Sequence, residues 1–61
     1  MAFIKYNSPK IGDTVITTVK HENFAGYFEK GTMVKVIDIG ERGYNIEDED
    51  GNKMTEIGWT I

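Results

Sequence analysis

In the run Met33 to Ile39, "MVKVIDI", Val34 and Val36 share one parity while Ile37 and Ile39 share the other. Side chains alternate across a strand, so a flat strand cannot bury all four against one core. A strand that bends sharply or carries a bulge can, because one extra residue flips the inside and outside assignments beyond it. The alternative, a central strand covered on both faces, needs more chain than is present. The pattern therefore predicts a bent strand of the kind that small closed barrels use.

Three further strands follow from the same reading. Asp13 to Val19, "DTVITTV", is β-branched throughout after its first residue, which crowds χ1 in a helix and suits a pleated surface. Tyr44 to Asp48, "YNIED", is the third strand and Lys53 to Trp59, "KMTEIGW", the fourth, with Thr60 and Ile61 left for a short closing pairing. Asp-Gly is a favoured pair for a two-residue hairpin turn. Centring the turn on Asp50 and Gly51 sets Asp48 opposite Lys53 and Glu47 opposite Met54. A shifted register sets Glu47 against Glu56, a like-charge pair. Tyr44, Ile46, Thr55, Ile57 and Trp59 then face inward, and Met54 is an apolar residue on the polar face. The predicted core is Val15, Val34, Val36, Tyr44, Ile46 and Ile57, with Val19, Ile39 and Trp59 closing the ends.

Length limits this to one domain: 61 residues bury only about 60% of the surface they expose when unfolded. The barrel is expected over residues 10–61. Residues 1–9 form an N-terminal arm or an extra edge strand, with Phe3, Ile4 and Tyr6 packing on this molecule or a neighbour, or fraying. Without cysteine there is no disulfide framework and no thiolate metal site. With no signal-length apolar region and nothing near a membrane span of about 20 apolar residues, a soluble cytoplasmic monomer is expected. Seven Lys plus Arg against ten Asp plus Glu leave a net charge of -3, and the basic residues are scattered. Such a field repels phosphate polymers rather than collecting them.

Catalysis fails on inventory, since His21 is the one histidine and Ser8 the one serine. His21 is expected to be a solvated loop imidazole. Gly40 and Gly43 lack the spacing and following helix of a phosphate loop. "EDEDGN" groups carboxylates around a glycine turn as calcium loops do, but alignment on Gly51 puts Ile46 and Ile57 where carboxylates are required. No metal or cofactor is expected. Two stretches remain as contact surfaces. Glu47, Asp48, Glu49 and Asp50 form either a solvated hairpin tip or an acidic patch for a basic protein partner, with exposed Met54 nearby. Phe24, Tyr27 and Phe28 lie in a long loop, where one helical turn would present them together. They either cap an open barrel end or face a partner, and a split is expected: Phe24 buried, Tyr27 and Phe28 at least partly exposed.

"IGDTVITT", then "EKGTMVKVIDIG", then "YNIEDEDGN" resembles small bacterial and phage proteins of the Src-homology-3-like barrel fold, and more distantly the KOW motif of ribosomal and transcription proteins. The resemblance covers residues 11–61 and implies an all-β, five-stranded barrel with a long first loop and a tight Asp-Gly hairpin. A KOW motif has a glycine within the second strand where this chain has Val34, and a basic loop that this chain lacks. The Ala-Leu-Tyr-Asp-Tyr stretch and paired tryptophans of proline-binding Src-homology domains are also missing, so that ligand class is not carried over. The expected function is a non-enzymatic module that binds a protein partner. The alternatives are a KOW-like nucleic-acid binder and a small structural subunit of a larger complex.

Overall fold

The computed structural model describes residues 8–23 and 26–61. Among these the protein is all-β, with no helix and six strands: β1 (Thr14–Ile16), β2 (His21–Asn23), β3 (Gly26–Phe28), β4 (Met33–Gly40), β5 (Gly43–Asp48) and β6 (Lys53–Met54). The main sheet is antiparallel in the order β1-β4-β5-β6, and β2-β3 forms a separate two-stranded sheet. The expected count of five strands therefore becomes six. The extra strands come from the long first loop, which folds as a hairpin and not as a helical turn. Residues 1–7, which hold Phe3, Ile4 and Tyr6, lie outside the described residues, as do Phe24 and Ala25.

The expected departure from a flat strand in β4 takes the form of a bulge. Val36 pairs with Ile46 and Asp38 with Asn45, so Ile37 is the additional residue. Beyond it Ile39 pairs with Tyr44 and so turns to the inner face. It sits at the open end of the strand pair, however, and remains exposed. Val19, also expected to close an end, is exposed as well. The core is Phe28, Val34, Val36, Tyr44, Ile46 and Met54, with Val15, Ile57 and Ile61 packed against it.

β1 is shorter than the expected Asp13–Val19 because the chain is diverted at Thr17. This threonine is buried and its hydroxyl acts twice, donating to the Glu29 carbonyl (2.7 Å) and accepting from the Thr32 N–H (2.9 Å). Both partners belong to the turn into β4, so one buried side chain ties the end of β1 to the start of β4. The closing pairing is present in outline: the Thr18 N–H donates to the Ile61 oxygen at 2.7 Å, and His21 Nε2 lies 3.0 Å from the same oxygen. His21 is thus a buried bridging group and not a solvated loop residue. It pairs with Phe28 across β2-β3, and their shared face turns inward.

The β5-β6 hairpin differs from its expected register by one residue. Ile46 pairs with Met54 and Glu47 with Lys53, which makes Glu49, Asp50 and Gly51 a three-residue loop. Gly51 has φ 87°, the left-handed conformation that a three-residue hairpin loop needs at its last position. A slip of one residue exchanges the faces of a strand. Met54, expected outside, is 5% exposed and continues the inner row Val36–Ile46–Met54. Thr55, expected inside, is exposed.

β6 ends at Met54 because Glu56 takes a left-handed backbone (φ 49°), its N–H donating to Asn45 Oδ1 at 2.8 Å. Pairing resumes with Ile57 N–H to the Tyr44 carbonyl (3.0 Å) and Tyr44 N–H to the Gly58 carbonyl (3.1 Å). The turn at Glu56 leaves Ile57 against the core, and Gly58, with φ 99°, breaks alternation a second time, so Trp59 points outward, 58% exposed, its ring edge-on to Tyr44 at 5.2 Å. At this crossing the backbones touch, and a Cβ on Gly43 would collide with the Gly58 main chain.

Met54→Ala is therefore expected to lose about 2–5 kcal/mol, as a buried truncation does, where an exposed methionine would change stability by only about 0.5 kcal/mol. Chemical denaturation of the two proteins measures the difference. Gly43→Ala, which must push two backbones apart, is expected to lower the melting temperature further still.

Candidate functional site

The two stretches singled out in the sequence meet. A groove of about 310 Å³ runs between the β2-β3 hairpin and the β5-β6 hairpin, lined by Gly26, Tyr27 and Phe28 on one side and Asp48, Asn52, Lys53 and Met54 on the other. Its construction follows from strand alternation. Phe28 and Tyr27 are neighbours in β3, so they point to opposite faces. Phe28 is 6% exposed and Tyr27 is 54% exposed. Partial exposure was expected of both, and the pairing of Phe28 with His21 explains the difference, since that pair faces the core. Phe28 and Met54 are floor, and Tyr27 is the aromatic group a partner would meet.

Tyr27 is steadied from outside the groove. It pairs with Glu22 across the hairpin, and Lys20 Nζ stands 5.2 Å from its ring centroid and 3.7 Å from Glu22 Oε1. A cation over one ring face is attracted by the quadrupole of the ring. All three side chains are at the surface, where such contacts contribute little to stability.

Asp48 closes the opposite wall. Its Oδ1 accepts the N–H groups of Asp50 (2.9 Å) and Asn52 (2.8 Å), and its Oδ2 accepts Asn52 Nδ2 at 3.0 Å. The backbone adds Asp48 N–H to the Asn52 carbonyl and Gly51 N–H to the Asp48 carbonyl. The side-chain hydrogen bond from Asn52, supported by backbone N–H groups, holds the Asp48 carboxyl below its ordinary pKa, against an opposing contribution from desolvation. Asp48 is the keystone of the loop first and a groove residue second.

The other acidic candidates lie elsewhere. Glu47 and Glu49 border a separate depression on the outer face of the main sheet, and Asp50 is exposed at the loop tip. Phe24 lies outside the described residues. Asn52 and Lys53 are groove residues that the reading of the sequence passed over. The signal for Asn52 was the pair Asp48–Asn52 around a glycine, since Asp side chains bond backbone N–H groups two and more residues on.

Comparison with protein-family models finds none that matches, and comparisons with curated proteins and with solved structures find no match either.

Because its carboxylate is the form that the loop binds, Asp48 contributes stability that is fully present above the unfolded carboxyl pKa of about 3.9. The contribution is lost as pH falls through the lower folded value. Wild-type protein is therefore expected to lose stability on acidification below about pH 4, and Asp48→Asn to show a flatter acid limb. Thermal melts across that range compare the two, and identical limbs would remove Asp48 from this role.

Proposed function

We propose that this chain is a non-enzymatic protein-interaction module on a Src-homology-3-like barrel, and that it takes its partner in the groove between the two hairpins. The observation that carries the reading is the convergence there of exposed Tyr27 with the Phe28–Met54 floor and the polar wall of Asp48, Asn52 and Lys53. An exposed aromatic ring beside an apolar floor is the usual make-up of an energetic anchor in an interface, with polar groups as the rim. The antiparallel main sheet and the contact between Thr18 and Ile61 support the barrel assignment. A cytoplasmic location accords with a chain free of cysteine.

A KOW-like nucleic-acid role gains no support from the groove, whose lining carries one ammonium, Lys53, beside one carboxylate, Asp48. Neutralising several phosphates requires a concentrated basic stripe.

Tyr27→Ala tests the proposal because it separates binding from folding. An exposed side chain truncated at the surface should change stability by no more than about 0.5 kcal/mol, yet an aromatic anchor should lose about 2 kcal/mol or more of affinity. Affinity capture from cells that express the protein, at moderate salt, should recover a partner with wild type and far less of it with Tyr27→Ala. Equal recovery by both proteins, or none above background with wild type, would sink this assignment.

A further inference from the structure

We propose that the protein partner enters the groove between the hairpins as an extended strand, lying between β3 and β6 and pairing with the free main-chain edge of each. The proposal rests on that groove being the partner site, and it names the conformation in which the partner is recognised.

The edge at β6 follows from the bonds that β5 makes. In an antiparallel pair, hydrogen-bonded and non-hydrogen-bonded residue pairs alternate. Asp48 N–H donates to the Asn52 carbonyl, and Tyr44 accepts from Ile57 N–H and donates to the Gly58 carbonyl. The main chain of β5 therefore turns towards β6 at Tyr44, Ile46 and Asp48. Met54, opposite Ile46, bonds into the sheet, and Lys53, opposite Glu47, points its N–H and C=O away from it.

The edge at β3 follows from its own hairpin. Asn23 pairs with Gly26 across only two residues, and the pair that closes so short a loop is the hydrogen-bonded kind. Alternation then makes His21–Phe28 a hydrogen-bonded pair and Glu22–Tyr27 a non-hydrogen-bonded one. The N–H and C=O of Tyr27 thus point away from β2. Outside the strand ladders, neither Tyr27 nor Lys53 enters a main-chain hydrogen bond among the described residues.

A single free strand edge is common in β proteins. Here two of them border one groove, Tyr27 on one wall and Lys53 on the other. Together they offer two donors and two acceptors, the complement of a peptide backbone. The side chains fit the same occupant. Phe28 and Met54 turn to the core and form the floor, while Tyr27 and Lys53 turn to solvent. A strand between them sets alternate side chains on the apolar floor and the others beside the tyrosine ring. Main-chain bonds supply affinity, and the floor selects an aliphatic residue at every second position.

The test uses the full chain, isotopically labelled, titrated with a short synthetic peptide of alternating valine and serine that is blocked at both ends. Saturable amide shifts are expected at Tyr27, Phe28, Lys53 and Met54, with hydrogen exchange of the Tyr27 and Lys53 amides slowed about tenfold or more at saturation. The same peptide with its central residues N-methylated keeps every side chain. It is expected to bind about tenfold or more weakly, because each blocked N–H leaves an acceptor in the groove unpaired. Equal binding of the two peptides, unchanged exchange at Tyr27 and Lys53, or no saturable shift would each overturn strand addition. If affinity capture then still recovers a partner that Tyr27→Ala loses, the groove stands without the strand; if capture also fails, both readings fall.

Discussion

The carboxylate of Asp48 accepts three hydrogen bonds across a loop of three residues, and through that loop it decides which side of β6 faces inward. With two residues in the loop, Met54 would point to water and Thr55 to the core. With three, Met54 completes the row Val36–Ile46–Met54, whose members are all buried. In a chain this small, one methionine is a large share of the apolar material available. A polar side chain at the surface thus sets the composition of the interior.

The other elements are fitted to that row by local departures from regularity. The bulge at Ile37 releases β4 from strict alternation, so Val36 before it and Ile39 after it both lie on the side of Ile46 and Tyr44. The left-handed turn at Glu56 does the same on the opposite edge, bringing Ile57 onto the core after Met54. Thr17 holds the turn before β4 from beneath through two hydrogen bonds. The turn at Glu56 costs a strained dihedral and gains the bond to Asn45 Oδ1, and among the described residues no buried side-chain polar atom lacks a partner.

How much of this was legible depends on whether local pattern or a distant contact made the decision. The all-β class, the span of β4 and β5 and the bulge all follow from parity within one run of residues, and the sequence displays that parity openly. Asp-Gly marked the place of the hairpin but not its loop length, because the glycine serves in a loop of two residues or of three. The choice lay with Asn52, four residues from the carboxylate it bonds. Trp59 was expected inward by extending alternation from Ile57, which does pack on the core, but Gly58 between them takes φ 99° and breaks the alternation. His21 and Phe28 were obscured for a different reason. Their burial arises from pairing with each other in a short hairpin, and a three-residue strand has too few positions to show a period.

The same distinction bears on where recognition resides. Phe28, Met54 and Asp48 were candidates because they are aromatic, apolar and acidic in an apparently exposed stretch, and each is engaged in holding the fold. What they leave at the surface is Tyr27 on one side of the hairpins and Glu47 with Glu49 on the other. Neither set would keep its position without the buried or hydrogen-bonded residue beside it: Tyr27 follows from Phe28 by alternation, Glu49 sits in the loop that Asp48 closes, and Glu47 precedes Asp48 on β5. Exposed candidates and structural residues in this domain therefore alternate along the chain. A substitution aimed at binding is clean only when it takes the exposed member of each pair.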